Sequence, residues 1–233
     1  MDYLILVAGG QGLRMGSDIP KQFMLLGGRP VIMRTIERFV QAMPDLRVVL
    51  VLHPAHVEEW HRLCREYNFS IDCSIATGGK ERFHSVKNGL DLIKHSMFNV
   101  QCSMFNGYVA VHDAVRPLVS VDVIRRAFAA VRESGAVVPA LPSVESVRIV
   151  RGDGHSEAVN RNDVMLVQTP QVFSLPLLID AYSQPYNATF TDDASVVEAF
   201  GHSIRIIPGN RENIKLTTPL DLRIAEWLFD LTI

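Results

Sequence analysis

The 233-residue chain has little cysteine, no long apolar run and no excess charge of either sign. Its three cysteines, Cys64, Cys73 and Cys102, are odd in number and form no Cys-x-x-Cys pair, which fits a reducing compartment. No histidine pair shares a short, ligand-like spacing with two of the thiols, so a zinc cage is not expected. No apolar stretch approaches the ~18 residues that a membrane helix needs. The run Leu4–Ala8 lacks the basic flank and length of a signal peptide, and the expectation is a cytoplasmic protein without a membrane partner. The 23 basic and 25 acidic side chains leave a formal charge of −2. That balance offers nucleic acid no polyanion groove, although short basic segments can hide beneath it. With 48% hydrophobic and 21% charged residues, the chain is neither disordered nor too short to bury a core.

What is present is a rhythm. Leu4–Ala8, Val48–Leu52, Tyr108–Val111, Ala136–Ala140 and Ile204–Ile207 are short apolar runs, as strands buried on both faces of a parallel sheet read. Between them lie helical patterns over Pro30–Ala42, Ala55–Tyr67, Ser85–Ile93, Val121–Val131, Ala194–Phe200 and Pro219–Phe229. The alternation predicts an α/β fold, a mostly parallel, doubly wound (Rossmann-like) sheet with helices on both faces. One domain over residues 1–233 is expected, with residues 142–165 inserted as a β-arm. There Ser143–Val150 alternates apolar and polar before a glycine turn at Arg151–His155, which reads as a projecting hairpin. Too small for its own core, it is expected to pack on a second copy of the chain.

The first strand breaks into Ala8-Gly9-Gly10-Gln11-Gly12-Leu13-Arg14-Met15-Gly16, followed by Pro20-Lys21-Gln22-Phe23. Glycines at the carboxyl end of a parallel strand let backbone N–H groups approach phosphate oxygens. A P-loop would need Lys-Ser/Thr where Leu13-Arg14 stands, and a dinucleotide fingerprint a glycine where Met15 stands. Neither reading fits. The loop instead carries its own cations, Arg14 and Lys21, suited to a triphosphate whose charge grows in a transition state.

Spelled this way, the loop resembles that of the sugar-phosphate nucleotidylyltransferases. In detail it is similar to the 2-C-methyl-D-erythritol 4-phosphate cytidylyltransferase family of the non-mevalonate isoprenoid pathway. Matching stretches follow in order at Gly78–Val86, His112–Pro117, Val159–Asn162, Gln168–Gln171, Thr191–Ser195 and Asn213–Thr217. The reaction this resemblance implies is attack of a sugar-phosphate oxygen on the α-phosphorus of CTP, expelling pyrophosphate. The attacking oxygen is already anionic, so no protein nucleophile is required. The resemblance assigns Arg14, Lys21 and Lys215 to the reacting phosphates. It assigns Ala8, Gly9, Gly10, Gly12, Gly79, Ser85, Asp113 and Ala114 to CTP, and Arg116, Ser146, Arg161, Thr169, Thr191 and Asp192 to the sugar phosphate. Asp113, after an apolar strand, suits Mg²⁺ or another divalent cation held jointly with phosphate oxygens. The family also implies a homodimer through the arm. Lys80 stands where many relatives carry an acid, and Ser146 where they often have threonine.

Two rivals are weighed. Ribitol-5-phosphate cytidylyltransferases share the glycine loop and Pro-Lys-Gln-Phe, but Thr191–Glu198 and Gly209–Lys215 lie closer to the methylerythritol family. A non-catalytic nucleotide-binding module would be expected to have lost Arg14, Lys21, Asp113 or Lys215, and all four are present.

Overall fold

The computed structural model describes residues 1–8, 19–98 and 107–231. In chain order, β1 (Tyr3–Ala8) is followed by a 3₁₀ turn (Lys21–Phe23), a small ribbon of β2 (Leu25–Leu26) and β3 (Arg29–Pro30), and α1 (Val31–Ala42). Next come β4 (Arg47–Leu52), α2 (Val57–Glu66), β5 (Cys73–Thr77), α3 (Arg82–Phe98), β6 (Tyr108–Asp113), α4 (Val121–Ser134) and β7 (Ala136–Pro142). The chain then forms β8 (Val147–Val150), β9 (Ser156–Val159), β10 (Met165–Val167), β11 (Gln171–Ser174) and α5 (Leu175–Ala181). It closes with α6 (Asp193–Ala199), β12 (Arg205–Pro208) and α7 (Pro219–Asp230).

The main sheet runs β10-β7-β11-β6-β1-β4-β5, with β12 on the other side of β7. β1 pairs in parallel with both β4 and β6, and β4 with β5. β12 runs parallel to β7, while β11 is antiparallel to both β6 and β7, and β10 to β7. Six strands therefore point one way and two the other, so the sheet is mostly parallel, as expected. The antiparallel β10 and β11 are not evident from the apolar pattern, because each is only three or four residues long. β5 escapes the pattern for another reason. As an edge strand it is mostly half-exposed and shows no continuous apolar run.

Side-chain alternation along β1 splits the interior into two layers. Leu4 and Leu6 face Ile32, Ile36 and Phe39 of α1 and Phe128 of α4. Tyr3 and Ile5 face Val86 and Leu90 of α3, Leu178 of α5 and Val197 of α6. Helices thus cover both faces. α4 is fixed at both ends: the Ser120 hydroxyl accepts from Val123 N–H at 3.1 Å, and Gly135 ends it in the left-handed conformation (φ +74°). A smaller apolar cluster holds α7, through Ala225 and Phe229, against Leu26, Val115, Leu118 and Leu216.

The expected hairpin is present as β8 and β9, paired from Val147–Val159 to Val150–Ser156 as a separate two-stranded ribbon. Its base joins the main sheet where Met165 pairs with Pro142. Val144, Ile149 and Val150 lie exposed along it.

Candidate active site

The carboxyl ends of β1 and β6 lie side by side, because Ala114 N–H continues the ladder to Val7 C=O at 3.1 Å. Open α/β sheets bind ligands at such a crevice. Here it is a cavity of about 400 Å³ whose walls include Ala8, Lys21, Gly79, Arg82, Ser85, Asp113 and Lys215. Lys21 is carried on the 3₁₀ turn, which is anchored by its neighbours. Gln22 is buried and donates to Ala8 C=O at 3.4 Å, while the Phe23 ring packs in the core and edge-on to His56. At the opposite wall, Gly79 N–H donates to the Ser85 hydroxyl at 3.0 Å. A Cβ at Gly79 would come within 2.4 Å of His84 Cβ and 2.8 Å of its carbonyl carbon, so the loop can fold this tightly only with glycine.

Asp113 organises the charge. Its buried carboxylate takes Lys215 Nζ at 3.0 Å and Arg116 Nε at 3.2 Å on one oxygen, and faces Arg82 Nε at 3.9 Å with the other. Burial pushes its pKa up, but Lys215, Arg82 and Arg116 together outweigh that and hold it well below the usual carboxylate range. The loop after β12 delivers Lys215 to this point. Its neighbour Leu216 donates N–H to Val115 C=O at 2.9 Å, and Arg116 Nη1 donates to Asn213 C=O at 2.7 Å.

Behind Asp113 lies a buried relay with one consistent set of donors. His112 Nε2 lies 3.1 Å from Arg116 C=O, which can only accept, so the ring proton sits on Nε2. Nδ1 must then accept from the Thr169 hydroxyl at 2.9 Å, whose oxygen accepts from Asp113 N–H at 3.2 Å. Burial first, against the opposing pull of Asp113, lowers the His112 pKa to about 3, so the ring stays neutral at ordinary pH. Thr169 therefore sets the backbone of Asp113.

Arg82 was not selected from sequence, although it belongs to the Gly-Gly-Lys-Glu-Arg stretch. It lines the cavity and forms a two-bonded pair with fully buried Asp193, both at 2.7 Å. Burial lowers the Arg82 pKa, and the pairing with Asp193 more than reverses it. The Tyr182 hydroxyl donates to the same carboxylate at 2.6 Å. Arg82 thereby ties the loop at Gly79 to the start of α6.

Of the residues selected from sequence, Ala8, Lys21, Gly79, Ser85, Asp113 and Lys215 meet around the cavity. Ala114 and Arg116 adjoin it through the contacts above, with Ala114 C=O also accepting from Thr35 Oγ1 at 2.9 Å. Gly9, Gly10, Gly12 and Arg14 lie outside the described residues. Asp192 caps α6, accepting from Ser195 N–H at 2.9 Å and from Gln171 Nε2 at 2.7 Å, and Thr191 beside it is exposed. Ser146 and Arg161 are exposed at the root of the arm, where Arg161 donates to Val144 C=O at 3.2 Å. None of these four lines the cavity. Among the described residues no cluster of three or more His, Cys, Asp or Glu could hold a metal ion. Nor is any described helix long and apolar enough to cross a membrane.

Comparison with known proteins points one way. The sequence model of the IspD family, described as 2-C-methyl-D-erythritol 4-phosphate cytidylyltransferase, matches residues 3–230. Proteins of that name from Phocaeicola vulgatus and Porphyromonas gingivalis are 52% and 48% identical to this chain. The match covers 97% of this chain in both cases, and 98% and 96% of theirs. Crystal structures of the enzyme of that name from Francisella tularensis and Thermus thermophilus superpose with TM-scores of 0.78 and 0.72. Each is 30% identical, and the overlap covers 97% of this chain with 98% and 97% of theirs, respectively.

Proposed function

Because this chain belongs to the 2-C-methyl-D-erythritol 4-phosphate cytidylyltransferase family, a nucleotidyltransferase family of isoprenoid biosynthesis, we propose that its cavity is where CMP passes from CTP to that sugar phosphate, with release of pyrophosphate. The observation that carries the proposal is the Asp113 cluster. Three cations converge on one carboxylate at the carboxyl end of a parallel sheet, beside a fourth, Lys21.

In this reading the sugar-phosphate oxygen forms a new bond to the α-phosphorus as the bond to the bridging oxygen of pyrophosphate breaks. Charge builds on the phosphoryl oxygens, and fixed cations stabilise it without reorganising. Lys21, with Arg14 of the glycine loop, supports the triphosphate, and Lys215 sits between it and the incoming phosphate. The Gly79–Ser85 corner, which lines the cavity, would supply backbone groups and a hydroxyl to the cytosine edge. Asp113 holds Lys215 and Arg116 in register. Asp113 would hold Mg²⁺ jointly with phosphate oxygens once the exposed Lys215 turns from the carboxylate to the phosphates, and the metal would supply charge neutralisation there. Arg161 and Ser146 would serve the sugar phosphate from a neighbouring copy, since neither reaches the cavity of its own chain. Thr191 and Asp192 would frame the same substrate next to Arg82. The setting is cytoplasmic.

The test is pyrophosphate release from CTP with purified protein, Mg²⁺, and either methylerythritol 4-phosphate or ribitol 5-phosphate. Turnover is expected with the first. Turnover confined to ribitol 5-phosphate would reverse the substrate assignment, which the family matches do not favour, and none with either would reject the reaction. The arm is tested separately. Removing residues 144–161 is expected to halve the mass of the assembly and to depress turnover. An assembly of unchanged mass and full activity would exclude the arm from both roles.

A further inference from the structure

Asp193, on the first residue of α6, is fully buried, and no ligand can reach its carboxylate. It nevertheless takes three hydrogen bonds, from Arg82 Nη1 and Nη2 at 2.7 Å each and from the Tyr182 hydroxyl at 2.6 Å. Stability alone does not call for such a pair, because well-packed apolar side chains in its place are often as stabilising or more so. What a two-bonded guanidinium–carboxylate pair adds is a fixed distance and direction between the elements that carry it.

Those elements are the first turn of α3 and the segment leading into α6. Arg82 and Phe83 open α3, whose first turn also carries Ser85, the acceptor of Gly79 N–H and donor to Glu81 C=O at 3.2 Å. Phe83 stacks on Tyr182 and Phe190, with ring centroids 4.7 and 5.7 Å away. Two consecutive side chains of α3 therefore grip the chain just before and just after Thr191 and Asp192. From the sheet, Gln171 holds the same segment, donating to the Asp192 carboxylate at 2.7 Å and accepting from Ala194 N–H at 2.8 Å. Thr191 and Asp192 are thus placed from two directions. We propose that the Arg82–Asp193 pair is a positioning element: it sets the span between the Gly79–Ser85 corner and the Thr191–Asp192 segment, and so the alignment of the sugar phosphate with CTP. The inference rests on the reading above, in which those two places take CTP and the sugar phosphate.

The consequence is one-sided. Loosening the pair leaves the nucleotide corner intact, because Ser85 keeps its bonds to Gly79 and Glu81, and α3 keeps Val86 and Leu90 in the core. The sugar phosphate instead meets a displaced segment, and a misplacement of about 1 Å can cost about 10²-fold in rate.

Asp193→Asn keeps the shape and removes the charge. It is expected to raise the KM for methylerythritol 4-phosphate about tenfold and to lower kcat about 10–10²-fold, while the Kd for CTP, from titration calorimetry without the sugar phosphate, stays within about twofold. Arg82→Lys keeps the charge on both partners but puts one bond in place of two. It is expected to move the same constants in the same direction, and it carries the test if Asp193→Asn does not fold. Tyr182→Phe removes the third bond to Asp193 and leaves the two-bonded pair and the ring stack, so it is expected to lower the Tm with both substrate constants unchanged. A role in stability alone would lower the Tm in all three variants and leave the sugar-phosphate KM of the folded enzyme where it was. A sugar-phosphate KM within about twofold of wild type in the Asp193 and Arg82 variants that fold overturns the inference, as does one that rises equally in Tyr182→Phe. Wild-type protein without turnover rejects the reaction and the inference together, so the wild-type rate tells the two failures apart.

Discussion

Asp113→Asn is expected to lower turnover about 10²–10³-fold, on the scale of losing one fixed electrostatic contact, and to destabilise the fold. The substitution keeps the shape and removes the charge. Arg116, Arg82 and Lys215 are then left close together with nothing between them. Breaking a buried pair by removing one partner costs about 3–5 kcal/mol. The lower end applies here, since Lys215 is exposed and can turn into water. About 3 kcal/mol corresponds to a fall in Tm of about 6–12 °C for a chain of this size. The effect carries a pH signature. The folded-state pKa of Asp113 is depressed, so its contribution is complete above its unfolded value of about 4 and fades as the pH falls below that. The Asn variant lacks the contribution throughout. The Tm difference between wild type and variant should therefore be constant near neutrality and shrink below about pH 4. Thermal unfolding across that range checks it, and a gap of the same size at pH 7 and pH 3 would mean that Asp113 is not the charge these cations stabilise.

The same cluster shows how far sequence reading reaches. Local signals were legible. The apolar run of β1 breaking into glycine, Asp113 at the end of β6 and Pro219 opening α7 each lie within a few residues of the feature they announce. Asp113, Lys21 and Lys215 were selected by motif and meet at one cavity. Pairings across the fold were not legible. Arg82 and Asp193 are 111 positions apart, and nothing in either neighbourhood says that one neutralises the other. The burial of Asp193 hides it further, because an Asp in the first turn of a helix reads as a favourable dipole contact. Thr169 and Asp192 show a subtler limit. Both fall in stretches that match the family, yet the structure has Thr169 bridging His112 and the Asp113 backbone, and Asp192 capping α6. A motif marks where a residue matters, and the hydrogen bonds add which neighbours that residue holds in place. β10 and β11 were missed because three or four residues carry too little periodicity to separate a strand from a loop.

Lys21→Ala is expected to reduce kcat about 10²–10³-fold, equivalent to ~2.7–4 kcal/mol of lost transition-state stabilisation, while KM for CTP changes by less than tenfold. The reasoning starts from what holds the side chain in place. The turn that carries Lys21 is fixed by its neighbours: Gln22 bonded to Ala8 C=O, and Phe23 buried against the core. Truncation should therefore leave the backbone of the pocket intact. In the ground state the triphosphate can draw on Lys215, the backbone around Ala8 and any bound Mg²⁺, so one missing ammonium weakens CTP binding little. In the transition state, negative charge grows on the oxygens of the phosphorus under attack, and solvent cannot replace a fixed cation there without reorganising. The loss then falls on kcat and on kcat/KM alike, as removal of an interaction made only in the transition state requires. Titration calorimetry of CTP into wild type and variant, set beside single-turnover rates, separates the two contributions. A variant that binds CTP a hundredfold more weakly yet turns over at the wild-type rate when saturated would reduce Lys21 to a docking group. The stabilisation would then have to come from Lys215 and Arg14.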